Sequence, residues 1–81
     1  MSLPFTNDLK KGTRIQLRSG WHATLCDNRK GNVRLAEVEG IHREIGSVYS
    51  HDIVQALVDD MWVAVLHTEK QRALRRIVGG L

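Results

Sequence analysis

Short runs in which apolar and polar residues alternate, each broken within a few positions by glycine, asparagine or aspartate, set the tightest limit on this fold. From Thr13 onward, Ile15 and Leu17 fall on one side and Arg14, Gln16 and Arg18 on the other, which is the period of a half-buried strand. Ser19-Gly20 interrupts the run, and Trp21, Ala23 and Leu25 then alternate with His22, Thr24 and Cys26. The stretch "DNRKGN" supplies Asn and Gly for a turn that tolerates positive φ, so these two runs predict a β-hairpin. A third strand is expected at 33–38, where Val33 and Leu35 share one parity but Ala36 and Val38 the other, and a bulge near Leu35 and Ala36 would reconcile them. Gly40 and Gly46 bracket "GIHREIG", a loop or ragged pairing; "SVY" makes a short fourth strand, and Ser50 or Asp52 is placed to cap one helical turn in "YSHDIV".

"VQALV" and "MWVAVLH", separated by Asp59-Asp60, read as a second tight hairpin. Its second arm is apolar at every position from Met61 to Leu66, so both of its faces should be covered. The last segment offers the cover. Thr68 and Gln71 form a T-x-x-Q capping box, Ala73, Leu74, Ile77, Val78 and Leu81 fall on one stripe at helical spacing, and Gly79 stands where a C-terminal cap belongs. The spacing predicts a helix over Glu69–Val78 lying on the outside of the last strand, a dimer partner being the other candidate cover.

Eighty-one residues predict one domain, and one of this size buries only about 60–65% of the surface its unfolded chain exposes. The 42% hydrophobic and 26% charged fractions are those of an ordinary globule. Cys26 is the only cysteine, which rules out an internal disulfide and fits a reducing cytoplasm. Neither a signal peptide nor a run of ~20 apolar residues is visible, so a cytoplasmic protein without a membrane partner is expected.

The segment "KKGTRIQLRSGWHATLCDNRKGN" resembles the opening of KOW-type barrels, in which a lysine-glycine entry leads into an alternating strand, a glycine turn and a second strand. Together with five or six short strands and a one-turn helix before the penultimate one, it looks like a mainly β, SH3-like barrel over residues 9–67, with a C-terminal helix over 68–79. The whole chain, including "GSVYSHDIV" and "HTEKQ", also resembles small proteins encoded by phages and prophages. The resemblance implies a binding module without a cofactor, and it supplies no catalytic residue.

Charge is distributed in blocks. Residues 1–35 carry a net +5, residues 36–69 a net −6 and residues 70–81 a net +4, which leaves +3 in total. Convergence of the basic ends would give one face able to hold phosphate, or to steer a charged protein or a second copy. The candidates for nucleic-acid contact are Lys10, Lys11, Arg14, Arg18, Arg29, Lys30 and Arg34, with Trp21 as a stacking platform. The candidates for a protein interface are Trp62 on the last strand and Arg72, Leu74, Arg75 and Ile77 on the helix. A solvated basic rim accounts for the same lysines and arginines without a ligand.

The remaining chemistry is thin. His22 and Cys26 lie four apart on one strand face while His42, His51 and His67 are scattered, and none of them has the close spacing of a zinc motif. "SHD" at 50–52 spells three triad residue types, but a triad is assembled from separate segments. A Cys26 nucleophile would need a base and a cleft that a small barrel does not offer. The sequence therefore points to a non-enzymatic interaction module with no cofactor, metal or small-molecule substrate, binding a host protein or itself. DNA or RNA bound through the basic first hairpin is the alternative.

Overall fold

The computed structural model describes residues 3–40 and 43–78. Six strands form one antiparallel sheet: β1 (Arg14–Leu17), β2 (His22–Leu25), β3 (Val33–Glu39), β4 (Arg43–Tyr49), β5 (Ile53–Val58) and β6 (Met61–Ala64), in the order β4-β3-β2-β1-β5-β6. A helix, α1 (Glu69–Val78), follows, and two 3₁₀ turns, Thr6–Asp8 and Ser50–Asp52, precede β1 and β5. Among the described residues β4 and β6 are the outer strands, with no ladder joining them. The sequence-based hairpins form as expected. Asp59 and Asp60 both take positive φ (49° and 63°), the conformation required of a two-residue turn whose twist matches its strands.

The core is small: Leu9, Ile15, Leu17, Ala23, Leu25, Ala36, Ile53, Ala56 and Val65 are buried, and three of these nine are alanines. On β3 the expected bulge does not occur, because the β2–β3 and β3–β4 registers run without a shift. Arg34 instead takes the inward position. Its parity with Ala36 and Val38 is that of a regular strand, and Val33 and Leu35 face outward, exposed. The register shift lies on β5, where Gln16 pairs with Gln55 but Leu17 with Ile53, which lets Ile53 and Ala56 both reach the core.

The Arg34 side chain is 0% exposed and its guanidinium ties three segments together. Nε donates to Asp27 Oδ1 (2.9 Å), Nη1 to the Thr6 carbonyl (2.7 Å), and Nη2 to the carbonyls of Leu9 and Asp27 (2.8 Å each). The other carboxylate oxygen of Asp27 accepts the Leu35 amide at 2.8 Å. Burial disfavours the Asp27 carboxylate, but the hydrogen bonds from Arg34 and from the Leu35 and Arg29 amides, with the Arg34 charge, outweigh it and hold this carboxyl below its ordinary range.

The helix starts as the sequence specifies. The Gln71 amide donates to Thr68 Oγ1 (3.2 Å) and Gln71 Oε1 accepts the Thr68 amide (2.9 Å), which is the capping box. Gln71 is also 1% exposed. Its Oε1 accepts from Thr6 Oγ1 (3.1 Å), and its Nε2 donates to Asn7 Oδ1 (3.1 Å) and the Gly31 carbonyl (2.7 Å).

Docking of the helix differs from the expectation. α1 packs against the Ser50–Asp52 turn, Ala73 and Ile77 are exposed, and Leu74 is half-buried. Met61, Trp62, Ala64 and Leu66 remain exposed, so the last apolar run is not covered on both faces. The physical reason is that the polar Gln71 face, which satisfies four partners, anchors the helix in place of its apolar stripe. Gly79, expected as the C-cap, lies outside the described residues, as do Leu81 and the side chain of Val78 from the stripe, and Ile41 and His42 from the expected loop. The strand expected at 47–49 begins earlier, because Arg43–Gly46 continues the regular β3 pairing.

Removing Arg34 leaves the Asp27 carboxylate and three carbonyls short of a donor, so Arg34→Met is expected to lower unfolding stability by about 3–5 kcal/mol. Arg34→Lys recovers little of it, since an ammonium cannot span the same acceptors. Urea denaturation of the two variants checks both; unchanged stability in Arg34→Met would show that this network contributes nothing.

Candidate protein-interaction surface

The basic residues of the first hairpin do not form one patch. Lys10 and Lys11 enter β1, Arg29 and Lys30 lie on the β2–β3 loop, and the two loops meet where the Lys11 amide donates to Asn28 Oδ1 (2.7 Å) and the Gly12 amide to the Leu25 carbonyl (2.8 Å). These four are exposed at one end of the sheet, and the Arg29 guanidinium is 3.8 Å from the Asp27 carboxylate. Arg14 lies elsewhere, on the outer face of β1, and is paired with Glu39, which also holds Arg43 at 3.5 Å. Arg18 sits at the far end of β1, where it donates to the His51 carbonyl (2.7 Å) and lies 3.5 Å from Asp52.

One of the candidate nucleic-acid contacts is corrected, and a second is separated from the rest. Arg34 is enclosed and has spent its donors on the protein, so it cannot reach a phosphate. Trp21 is 47% exposed, but it lies at the opposite end of β2 from Lys10 and Lys11, with its ring packed against Gly40, where a Cβ would come within 2.6 Å, so it stands apart from the basic loops.

The outer face of the sheet presents aromatic and aliphatic side chains instead. Trp62 pairs with Leu57 across β5–β6, and its ring stacks on that of His22 with centroids 5.1 Å apart and planes 20° apart. β1 and β5 lie between the strands that carry these two residues, so both side chains lean across the sheet to meet. Trp62 is 39% exposed on this face, while Val58 and Met61, exposed beside the Asp59-Asp60 turn, share the parity of the buried Ala56 and point to the other side. A second apolar strip, Val33, Leu35, Ile45 and Tyr49, runs over β3 and β4. Between the two lie polar outward positions, Arg14, Gln16, Thr24, Glu37, Glu39 and Gln55.

The helical candidates stand apart from Trp62 in their contacts. Arg72 borders an open cleft of about 220 Å³ with Phe5, Val65, Leu66 and His67. Arg75 lies near enough to His51 for its charge to act on that imidazole. Leu74 is half-buried and Ile77 is exposed. Cys26 Sγ is 3.5 Å from the Thr24 carbonyl oxygen, and no group of three or more metal-ligating side chains occurs among the described residues.

The Ser50–Asp52 turn is not assembled as a triad or a cap. Ser50 Oγ donates to the Gly31 carbonyl (2.6 Å), and neither Ser50 nor Asp52 makes a side-chain cap there. His51 is 2% exposed, stacked on Tyr49 (4.9 Å between centroids), and its Nδ1 has no hydrogen-bond partner. Burial lowers its pKa from 6.5, the Asp52 carboxylate opposes the shift, and the charges of Arg18, His67 and Arg75 add to it. No signal in "SHD" distinguishes this buried ring from a surface histidine.

No protein-family model matches this sequence, and neither a curated protein nor a solved structure matches it.

A histidine held neutral by burial contributes stability that is present above its unfolded pKa and is lost as pH falls through the lower folded value. Stability is therefore expected to decline as pH drops below about 6.5. His51→Phe should flatten the decline over the range just below that value, leaving the later loss as Asp27 is protonated. Urea midpoints across that range check this; equal slopes in parent and variant would contradict it.

Proposed function

We propose that this protein is a small non-enzymatic interaction module, an SH3-like barrel of phage or prophage origin, that binds a host protein through the outer face of its sheet around Trp62. The observation that carries this reading is an exposed tryptophan held in a defined orientation by its stack on His22. Tryptophan dominates the energetics of protein interfaces because one rigid side chain buries a large area at small entropic cost. Around it, Arg14, Gln16, Glu39 and Gln55 supply polar groups for a rim, and the Arg14–Glu39–Arg43 chain fixes the charges of that rim. The resemblance of the sequence to small phage-encoded proteins favours a host macromolecule as the partner. The basic loops are less suited to carry the function: their four exposed cations offer phosphate contacts, and the tryptophan read as their stacking platform lies at the other end of β2.

The test is affinity capture from host lysate with the parent and two variants, followed by titration of the captured partner. Trp62→Ala is expected to weaken binding by about 2 kcal/mol, roughly thirty-fold, while leaving thermal stability close to that of the parent. Replacing Lys10, Lys11, Arg29 and Lys30 together by alanine should leave the affinity within about three-fold at moderate salt. Full retention of the partner by Trp62→Ala, or recovery of nucleic acid that only the four-alanine variant loses, would refute the reading.

A further inference from the structure

We infer that two copies of this chain associate through their β4 strands, edge to edge and antiparallel, about a two-fold axis that passes through Gly46. The inference goes beyond the reading of the Trp62 face and does not depend on it.

The argument starts from which backbone groups are unused. The Ser50 amide donates to the Asn32 carbonyl (2.8 Å), one step beyond the last β3–β4 pair, and the register continues with Arg34↔Val48, Ala36↔Gly46 and Val38↔Glu44. In an antiparallel ladder alternate residues point their N–H and C=O at the same neighbour. Val48, Gly46 and Glu44 therefore bond to β3, and Arg43, Ile45, Ser47 and Tyr49 direct their N–H and C=O to the open side. Among the described residues no hydrogen bond occupies that side.

The other outer strand is less available. The Val65 amide donates to the Val54 carbonyl (3.2 Å), so Trp62, Ala64 and Leu66 face away from β5. At Leu66 the N-terminal segment already takes both groups, through the Pro4 carbonyl (2.8 Å) and the Thr6 amide (3.1 Å). Two residues remain open there, against four on β4.

β4 also lacks most of the features that shield an edge. Its pairing with β3 is regular over seven residues, it contains neither lysine nor proline, and Ile45 is 67% exposed. Open grooves of about 480 and 370 Å³ lie against Ser47–Tyr49, the larger bounded on its other side by Arg18, Ser19 and Asp52.

A second copy fits this edge in one register better than in any other. With the axis at Gly46, Arg43 lies opposite the partner's Tyr49 and Ile45 opposite the partner's Ser47. All four open residues of each chain then exchange both hydrogen bonds. A shift of the axis by one residue either way leaves an open residue of each chain unpaired. The register sets no like charges opposite one another, and it brings an arginine over a tyrosine ring, an attractive cation–π arrangement. It also carries the partner's Arg43 and the partner's Glu44 toward the larger groove, whose walls hold Asp52 and Arg18, one charge of each sign to meet one of each. The apolar strip of Val33, Leu35, Ile45 and Tyr49 becomes continuous across the axis, as a self-complementary two-fold contact requires.

Sedimentation equilibrium of the full chain, with cysteine cross-linking, tests this. The parent is expected to show a concentration-dependent mass of two chains. Ile45→Lys, which sets two ammonium groups diagonally across the axis, should weaken association at least about ten-fold with thermal stability preserved. Ser47→Pro, which removes an open N–H, should do the same; if it unfolds, Ile45→Lys decides alone. In a Cys26→Ser background, Gly46→Cys should cross-link to its own copy, because Gly46 faces the partner's Gly46 in a pair with Cα atoms about 4.5 Å apart, within disulfide reach, and nothing lies within 4 Å of the added Cβ. Leu35→Cys, one strand back from the axis, should not. Trp62→Ala should leave the association unchanged, which separates this result from the fate of the protein-binding reading. A single-chain mass at about 1 mM, where even a millimolar contact would be substantially occupied, overturns the proposal. So does a dimer unaffected by Ile45→Lys, or equal cross-linking at positions 46 and 35.

Discussion

A guanidinium enclosed under the β2–β3 loop is the constraint on which the rest of this structure depends. With nine buried apolar residues among the described ones, three of them alanine, the sheet has little hydrophobic surface with which to fix its connecting segments. Arg34 compensates by geometry. One planar group reaches the 3₁₀ turn Thr6–Asp8, the start of the basic loop at Leu9 and the β2–β3 connection at Asp27, and every contact is a hydrogen bond to a carbonyl or carboxylate. Enclosing a charge is costly unless its donors are satisfied and a counter-charge is near; the Thr6, Leu9 and Asp27 carbonyls take the donors and the Asp27 carboxylate supplies the counter-charge. The exposed basic loops are thus the outer skin of an interior ion pair, which explains why Lys11 and Asn28 meet at all.

Local signals in the sequence carried much of the architecture. Glycine and aspartate turns, two-residue alternation and the T-x-x-Q box concern neighbours a few positions apart, and the hairpins and helix start follow from them directly. What failed involved partners far along the chain. The inward place of Arg34 depends on acceptors 25 and 28 residues away, so an arginine in an alternating run reads as outward and its apolar neighbours as a bulge. The helix shows an apolar stripe, yet the side chain that anchors it is Gln71, whose partners lie 40, 64 and 65 positions earlier. Arg43–Ile45 is exposed at every position, so it has no periodicity to announce a strand and forms one because β3 offers a ladder.

The surface residues divided in the same way. Trp62 was legible as a candidate because a large aromatic side chain on a terminal strand has few places to hide, but its alignment by His22 joins β2 to β6 and leaves no trace in either segment alone. The basic residues were legible only as charge. Their distribution over the loop end, the outer face, the far end of β1 and the interior is a consequence of register, which composition does not encode.

The Gln71 contacts also bear on how the fold is reached. Its side chain closes onto Thr6 and Asn7, so the segment before β1 and the helix after β6 meet through one amide group. The hairpins can zip from contacts between neighbours in sequence, yet the Thr6 hydroxyl and the Gln71 amide find each other only once the strands between them are in place. Contacts across such separations slow the search for the native state, so the polar clasp around Gln71 sets a rate as well as a stability for this fold.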